Sequence, residues 1–136
     1  GVPVTEPGGR LVGILTNRVP QAVARLREFD AAEICLCSVV KAELLYGARK
    51  SARVAENLRL LETFFAPFTC LSFDDRCADQ YGLIRADLER SGNPIGPNDL
   101  MIAAIARTHD CTLATHNVGE FARVVGLRVE DWVEKG

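Results

Sequence analysis

Three acids, Glu43, Asp99 and Glu120, stand where a carboxylate can serve either structure or chemistry. Glu43 lies one turn into an apolar helical run, VVKAELL, with Ala42, Leu44 and Leu45 beside it. One acid in an amphipathic helix is commonplace on a solvated face; the apolar company is what favours a chemical role. Asp99 opens the segment LMIAAIA. Free N–H groups and the positive end of a helix dipole favour an acid there without any chemistry, and Asn98 could itself be the cap. The apolar helix that follows, however, puts this end near the core. Glu120, in THNVGEFARVVGL, is either a solvated loop acid or a third carboxylate reaching the same place.

Three acids in one cleft repel, and one is forced to take up a proton unless a cation neutralises them. Oxygen donors, in a chain with only 2 His, select Mg2+ or Mn2+ over Zn2+. Such an ion suits phosphodiester hydrolysis, because it orients and activates water and screens charge on the phosphate. No glycine-rich phosphate loop, Ser-His-Asp order or dinucleotide fingerprint competes with this chemistry. His109, near a helix end, reads as a cap-region residue; His116 falls in the site loop, either exposed or touching phosphate or metal.

The elements that must position these acids alternate between helix and strand. Pro20 opens a helix (QAVARLREF), 32–37 (AEICLC) is a strand, and Ser38 is placed to cap VVKAELLYGARK. Helix 54–65, strand 68–73, a long helix from Asp74 or Asp75 to Arg90, the Gly/Pro loop 91–97, helix 99–108, strand 111–115 and a short strand at 127–129 follow. Strands separated by helices imply parallel pairing with right-handed crossovers, and ligands gather at the carboxyl ends of such strands. Ser38 and Glu43 follow one strand end, and the segment from Thr115 to Glu120 follows another.

The 136 residues suffice for one domain with a core, and the expected organisation is a single domain over 1–136. Apolar residues at 48% and charged ones at 25% fit a folded globular chain, and a net charge of −2 argues against a strongly basic nucleic-acid binder, leaving local patches. Arg10, Arg18, Arg49, Lys50, Arg53 and Arg85 are the candidates for such patches. No stretch is long and apolar enough for a membrane helix, and the start lacks a signal-peptide pattern, so a cytoplasmic location is expected. The five Cys (Cys35, Cys37, Cys70, Cys77 and Cys111) have no metal-finger spacing and read as small buried hydrophobes in a reducing compartment, a disulfide or metal site being the alternative.

The blocks SVVKAELLYGARKS (38–51), YGLIRADLERSGNPIGPNDLMIAAIA (81–106) and LATHNVGEFARVVGLRVEDW (113–132) occur in an order and spacing that resembles the PIN-domain ribonucleases, specifically the VapC-like toxins of type II toxin–antitoxin pairs. The resemblance spans roughly 11–132. It implies a three-layer α/β/α sandwich with a mainly parallel sheet, and Mg2+-dependent (or Mn2+-dependent) endonucleolytic cleavage of RNA, such as tRNA or rRNA. Carried over, Glu43, Asp99 and Glu120 match the family's second, third and fourth acids. Asp99 would hold the metal directly, Glu43 directly or through water, and Glu120 would position the attacking water. Ser38, Asn98, Thr115 and Asn117 match polar positions that support those acids. The implied partners are RNA, a cognate antitoxin protein and a second copy of the chain.

One departure stands out. The family's first strand ends in an Asp-Thr-Asn triplet whose Asp is a principal metal ligand. Counting back from LTNR puts Pro7 or Gly8 there, with Glu6 one or two positions out of register, and Pro3 and Pro7 make a poor central strand. Residues 1–10 are thus atypical: Glu6 substitutes, the site is impaired, or these residues are foreign to the native chain. An impaired site would leave a module that binds RNA or antitoxin without cutting. A small α/β enzyme acting on a phosphorylated metabolite is the remaining alternative.

Overall fold

The computed structural model describes residues 9–13, 19–115 and 117–131, with Arg25 described by its backbone alone. Glu6, Pro7, Gly8, Arg18 and His116 lie outside this set. Along the chain come β1 (Arg10–Val12), α1 (Val19–Leu26), β2 (Ile34–Cys37), α2 (Ser38–Arg49), α3 (Val54–Phe65), β3 (Thr69–Leu71), α4 (Asp75–Arg90), α5 (Pro97–Thr108), β4 (Thr112–Thr115), α6 (Val118–Phe121) and β5 (Val129–Asp131). The strands of the described residues form one sheet in the order β3-β2-β1-β4-β5, and every pair is parallel. Because β1 is central, its Leu11 and Val12 are fully buried, as are Cys35 and Cys37 of β2 and Leu113 and Ala114 of β4. Strands covered on both faces lose period-two alternation and read as short continuous apolar runs. The two helices between β3 and β4 pack on each other, α1 and α2 both pack on α3, and the sheet lies between layers of helix, as expected for an α/β/α sandwich.

The chain leaves β1 toward β2 and β3, then crosses to β4 and β5 on the other side. The carboxyl ends of β1 and β4 therefore diverge into helices of opposite layers, which opens a crevice at that switch point. Helix α5 is buried through its middle, from Ile102 to Ala106, as well as at Leu100. Among the described residues no helix is long and apolar enough to cross a membrane.

Several boundaries differ from expectation. The central first strand is Arg10–Val12, further along than the count from LTNR put it. The reason is physical: Leu11 and Val12 supply apolar side chains to both faces and keep the N–H groups that a central ladder needs, whereas Pro7 lacks one. Ser38 is the first residue of α2 rather than its cap, Cys37 holding that position. Helix α5 begins at Pro97, with Gly96 as N-cap, so neither Asn98 nor Asp99 caps it. Proline suits a first helical position because its missing N–H has no intrahelical partner there anyway. Four of the Cys are buried and outside any disulfide, as expected, but Cys70 is exposed on the edge strand β3.

Candidate functional site

Three strand ends converge on the crevice. Strand β1 ends against β4, the Gly13 N–H donating to the Ala114 carbonyl at 2.9 Å. Strand β2 runs straight into Ser38, which is half-buried. Strand β4 ends in Thr115, fully buried, whose Oγ1 accepts the Asn117 backbone N–H at 3.0 Å. This short side-chain turn fixes the exit from β4 and aims the Asn117 side chain back at α5, where its Nδ2 donates to Asp99 Oδ2 at 3.3 Å.

Asp99, in the first turn of α5, meets Glu120 of α6, and the two carboxyls lie close enough for each to shift the other's proton affinity. Such proximity favours a proton on one partner. Burial is the main cause that pushes Asp99 up to about 7, followed by the hydrogen bond and the charge of Glu120, against which the Asn117 amide works. Glu120 is held below the usual carboxylate range, chiefly by the bond from Asp99 and then by the Gly96 N–H, the Asn117 amide and the nearby Arg123. The two shifts run in opposite directions, Asp99 up and Glu120 down.

Two contacts join α6 to the loop before α5. The Gly96 N–H donates to Glu120 Oε1 at 3.4 Å, and Arg123 donates to the Pro94 carbonyl at 3.2 Å. Arg123 escaped the reading of the sequence. It lies in the turn just after α6, two residues beyond Phe121, and no motif in the sequence marks it. Phe121, fully buried, pins the same helix to the core.

Glu43 is exposed on α2, and Asn98 Nδ2 donates to its Oε1 at 2.7 Å. Asn98 and Asp99 are consecutive on α5, so Glu43 reaches the same helix end as the carboxyl pair. Asp99, Glu120, Asn117 and Thr115 are linked to one another, with Glu43 and Asn98 as a second linked pair. Among the described residues no three acids, His or Cys are grouped closely enough to hold a metal ion by themselves.

No acid stands at the end of β1. Gly13 occupies the place that a first-strand carboxylate would take, and a Cβ there would meet Leu113 Cδ1 at 2.8 Å. The position is filled by packing from β4, so a side chain enters only if Leu113 moves.

The remaining oxygen donors are suited to a hard divalent ion held through two carboxylates, with water completing its shell, which is how Mg2+ is commonly bound. A cation there would favour the charged form of both carboxyls.

Residues 11–127 match the family model described as PIN domain. Over 113 residues the chain is 42% identical to the tRNA(fMet)-specific endonuclease VapC of Shigella flexneri, covering 83% of this chain and 86% of that protein. It is 36% identical over 123 residues to ribonuclease VapC2 of Haemophilus influenzae, covering 90% of this chain and 92% of the relative. Among solved structures, that of DNA-bound VapBC from Salmonella typhimurium matches with a TM-score of 0.79 and 32% identity, over 93% of this chain and 99% of the other.

Proposed function

The chain belongs to the PIN-domain family, and from that membership we propose that it is an endoribonuclease, the toxin of a type II toxin–antitoxin pair, working with Mg2+ or Mn2+. The observation that carries this reading is the Asp99–Glu120 carboxyl pair at the switch point of the sheet. Similarity to VapC nucleases and to VapBC complexes supports RNA as substrate and a small antitoxin protein as partner. A groove of about 530 Å³ between α2 and α3, lined by Leu45, Leu58, Phe65 and Phe68 and edged by Lys41, Arg49 and Glu62, is an apolar seat with a charged rim for such a partner.

In the proposed mechanism Asp99 would hold the ion directly and Glu43 directly or through water. When bound, the ion activates water and screens the charge that develops on the phosphate. Asp99 would bind the ion as the deprotonated carboxylate, which the Asn117 amide keeps oriented. Glu120, held by the Gly96 N–H, directs a water toward the phosphate. Glu43, exposed and fixed by Asn98, faces the side from which a long substrate can approach.

Purified protein is expected to cut tRNA or another structured RNA with Mg2+ present, to stop on addition of EDTA, and to resume when Mg2+ or Mn2+ is restored. Gly13 at the end of β1 favours a second reading, a module that binds RNA or antitoxin without cutting. No cleavage with either ion, combined with intact RNA or antitoxin binding, selects it.

A further inference from the structure

We propose that the exposed face of α2 beyond Glu43 is a track for single-stranded RNA, on which the Tyr46 ring stacks on an unpaired base and Lys50 meets a neighbouring phosphate. This rests on the RNA-cleaving reading given above. Residues 43, 46, 47 and 50 fall on one face of a helix by the three-and-four rule. At 1.5 Å per residue, Tyr46 lies about 4.5 Å and Lys50 about 10 Å along the axis from Glu43. That face starts at the carboxyl site, since Glu43 is bound to Asn98 beside Asp99.

Tyr46 is 61% exposed, one of few large apolar side chains in the open among the described residues, and the Lys50 ammonium sits 5.3 Å from its ring centroid. A solvent-facing ring with a cation beside it is the pairing that single-stranded nucleic acid uses: every base offers a π-face, and the backbone offers a phosphate. Three of the other basic residues singled out in the sequence are already engaged within the fold. Arg10 pairs with Glu130 at 2.8 Å, Arg53 with Glu56 at 3.1 Å, and Arg85 with Glu89 at 3.0 Å. Lys50 instead lies over the Tyr46 ring, on the helix face that begins at Glu43.

The test uses the full chain in EDTA, so that RNA is bound but not cut, with a single-stranded oligoribonucleotide and versions of it carrying one abasic position each. Tyr46→Ala is expected to weaken binding about 10-fold, the cost of one lost base stack, while Tyr46→Phe binds as the parent does. One abasic position should weaken binding to the parent and cost nothing further in Tyr46→Ala. Lys50→Gln should lower the salt dependence by about one phosphate contact. With Mg2+ restored, Tyr46→Ala should raise KM and leave kcat in place. Tyr46→Ala binding RNA as the parent does would overturn the track and leave the nuclease reading standing. The same result together with loss of antitoxin binding would assign the face to a protein partner and overturn the track equally. A parent chain that binds no RNA removes both.

Discussion

Asp99→Asn is expected to lower metal-dependent RNA cleavage by roughly 100-fold or more, because loss of a ligand exceeds the 10–100-fold typical of an outer partner. The same change should make the metal-free protein more stable at pH 8. Asp99 is raised in the fold from an ordinary 3.8 to about 7, so between those values the folded chain keeps a proton that the unfolded chain has released. The stability this lends is fully present below about pH 4 and is lost as pH climbs through 7. Glu120 runs the opposite way: its lowered value lends stability that is present above its ordinary 4.5 and lost as pH falls through its depressed value. The carboxyl pair is only partly buried and solvent screens it, so the Asp99 effect is on the order of 1 kcal/mol, not the several that a full shift would give. Asn is uncharged throughout, so the fall between pH 4 and 7 should vanish in the variant. Thermal denaturation across pH, with a cleavage assay alongside, reads both. If the variant cuts RNA normally and is less stable at pH 8, Asp99 merely favours a helix start.

Phe121→Ala should destabilise the fold by about 3–5 kcal/mol, the usual cost of emptying a fully buried aromatic site. Phe121 is 0% exposed and belongs to a helix of four residues, too short to hold itself together. Packing of this ring is thus what keeps Glu120 against Asp99. Urea denaturation should show the loss as a lower midpoint with an unchanged slope, and residual activity at low temperature should fall more than in Phe121→Leu. A change under about 1 kcal/mol would mean that α6 is anchored elsewhere.

Much of this arrangement is legible in residue order. The strand runs ICLC and TLAT are apolar, and Thr69–Leu71 lies within the expected strand at 68–73. Pro67 marks the stop just beyond α3, whose bounds fall where the periodicity puts them. The long helix α4 is announced by Asp74, whose carboxylate accepts the Cys77 N–H at 3.1 Å. The three acids could be singled out because each interrupts or opens an apolar stretch.

What could not be read is pairing across the fold. That Asp99 meets Glu120 while Glu43 takes Asn98 depends on where α6 lands after a tight turn at Thr115, and no local propensity encodes that. The count from LTNR fails for the first strand because Arg10–Val12 is a three-residue run beside a proline-rich stretch, and its place is set by its partners on both sides. Asp99 looked like a cap because the sequence offers Asn98 and Asp99 together, but Pro97 starts the helix earlier and turns Asp99 toward the crevice.

The account stands most directly on the carboxyl pair, and carbon NMR of the side-chain carboxyls through a pH titration reads it. Without metal, the Asp99 signal should titrate near pH 7 and Glu120 below the ordinary carboxylate range; with saturating Mg2+, the Asp99 step should move down to acid pH as the cation displaces the proton. An Asp99 carboxyl that titrates near 4 and ignores Mg2+ would contradict it.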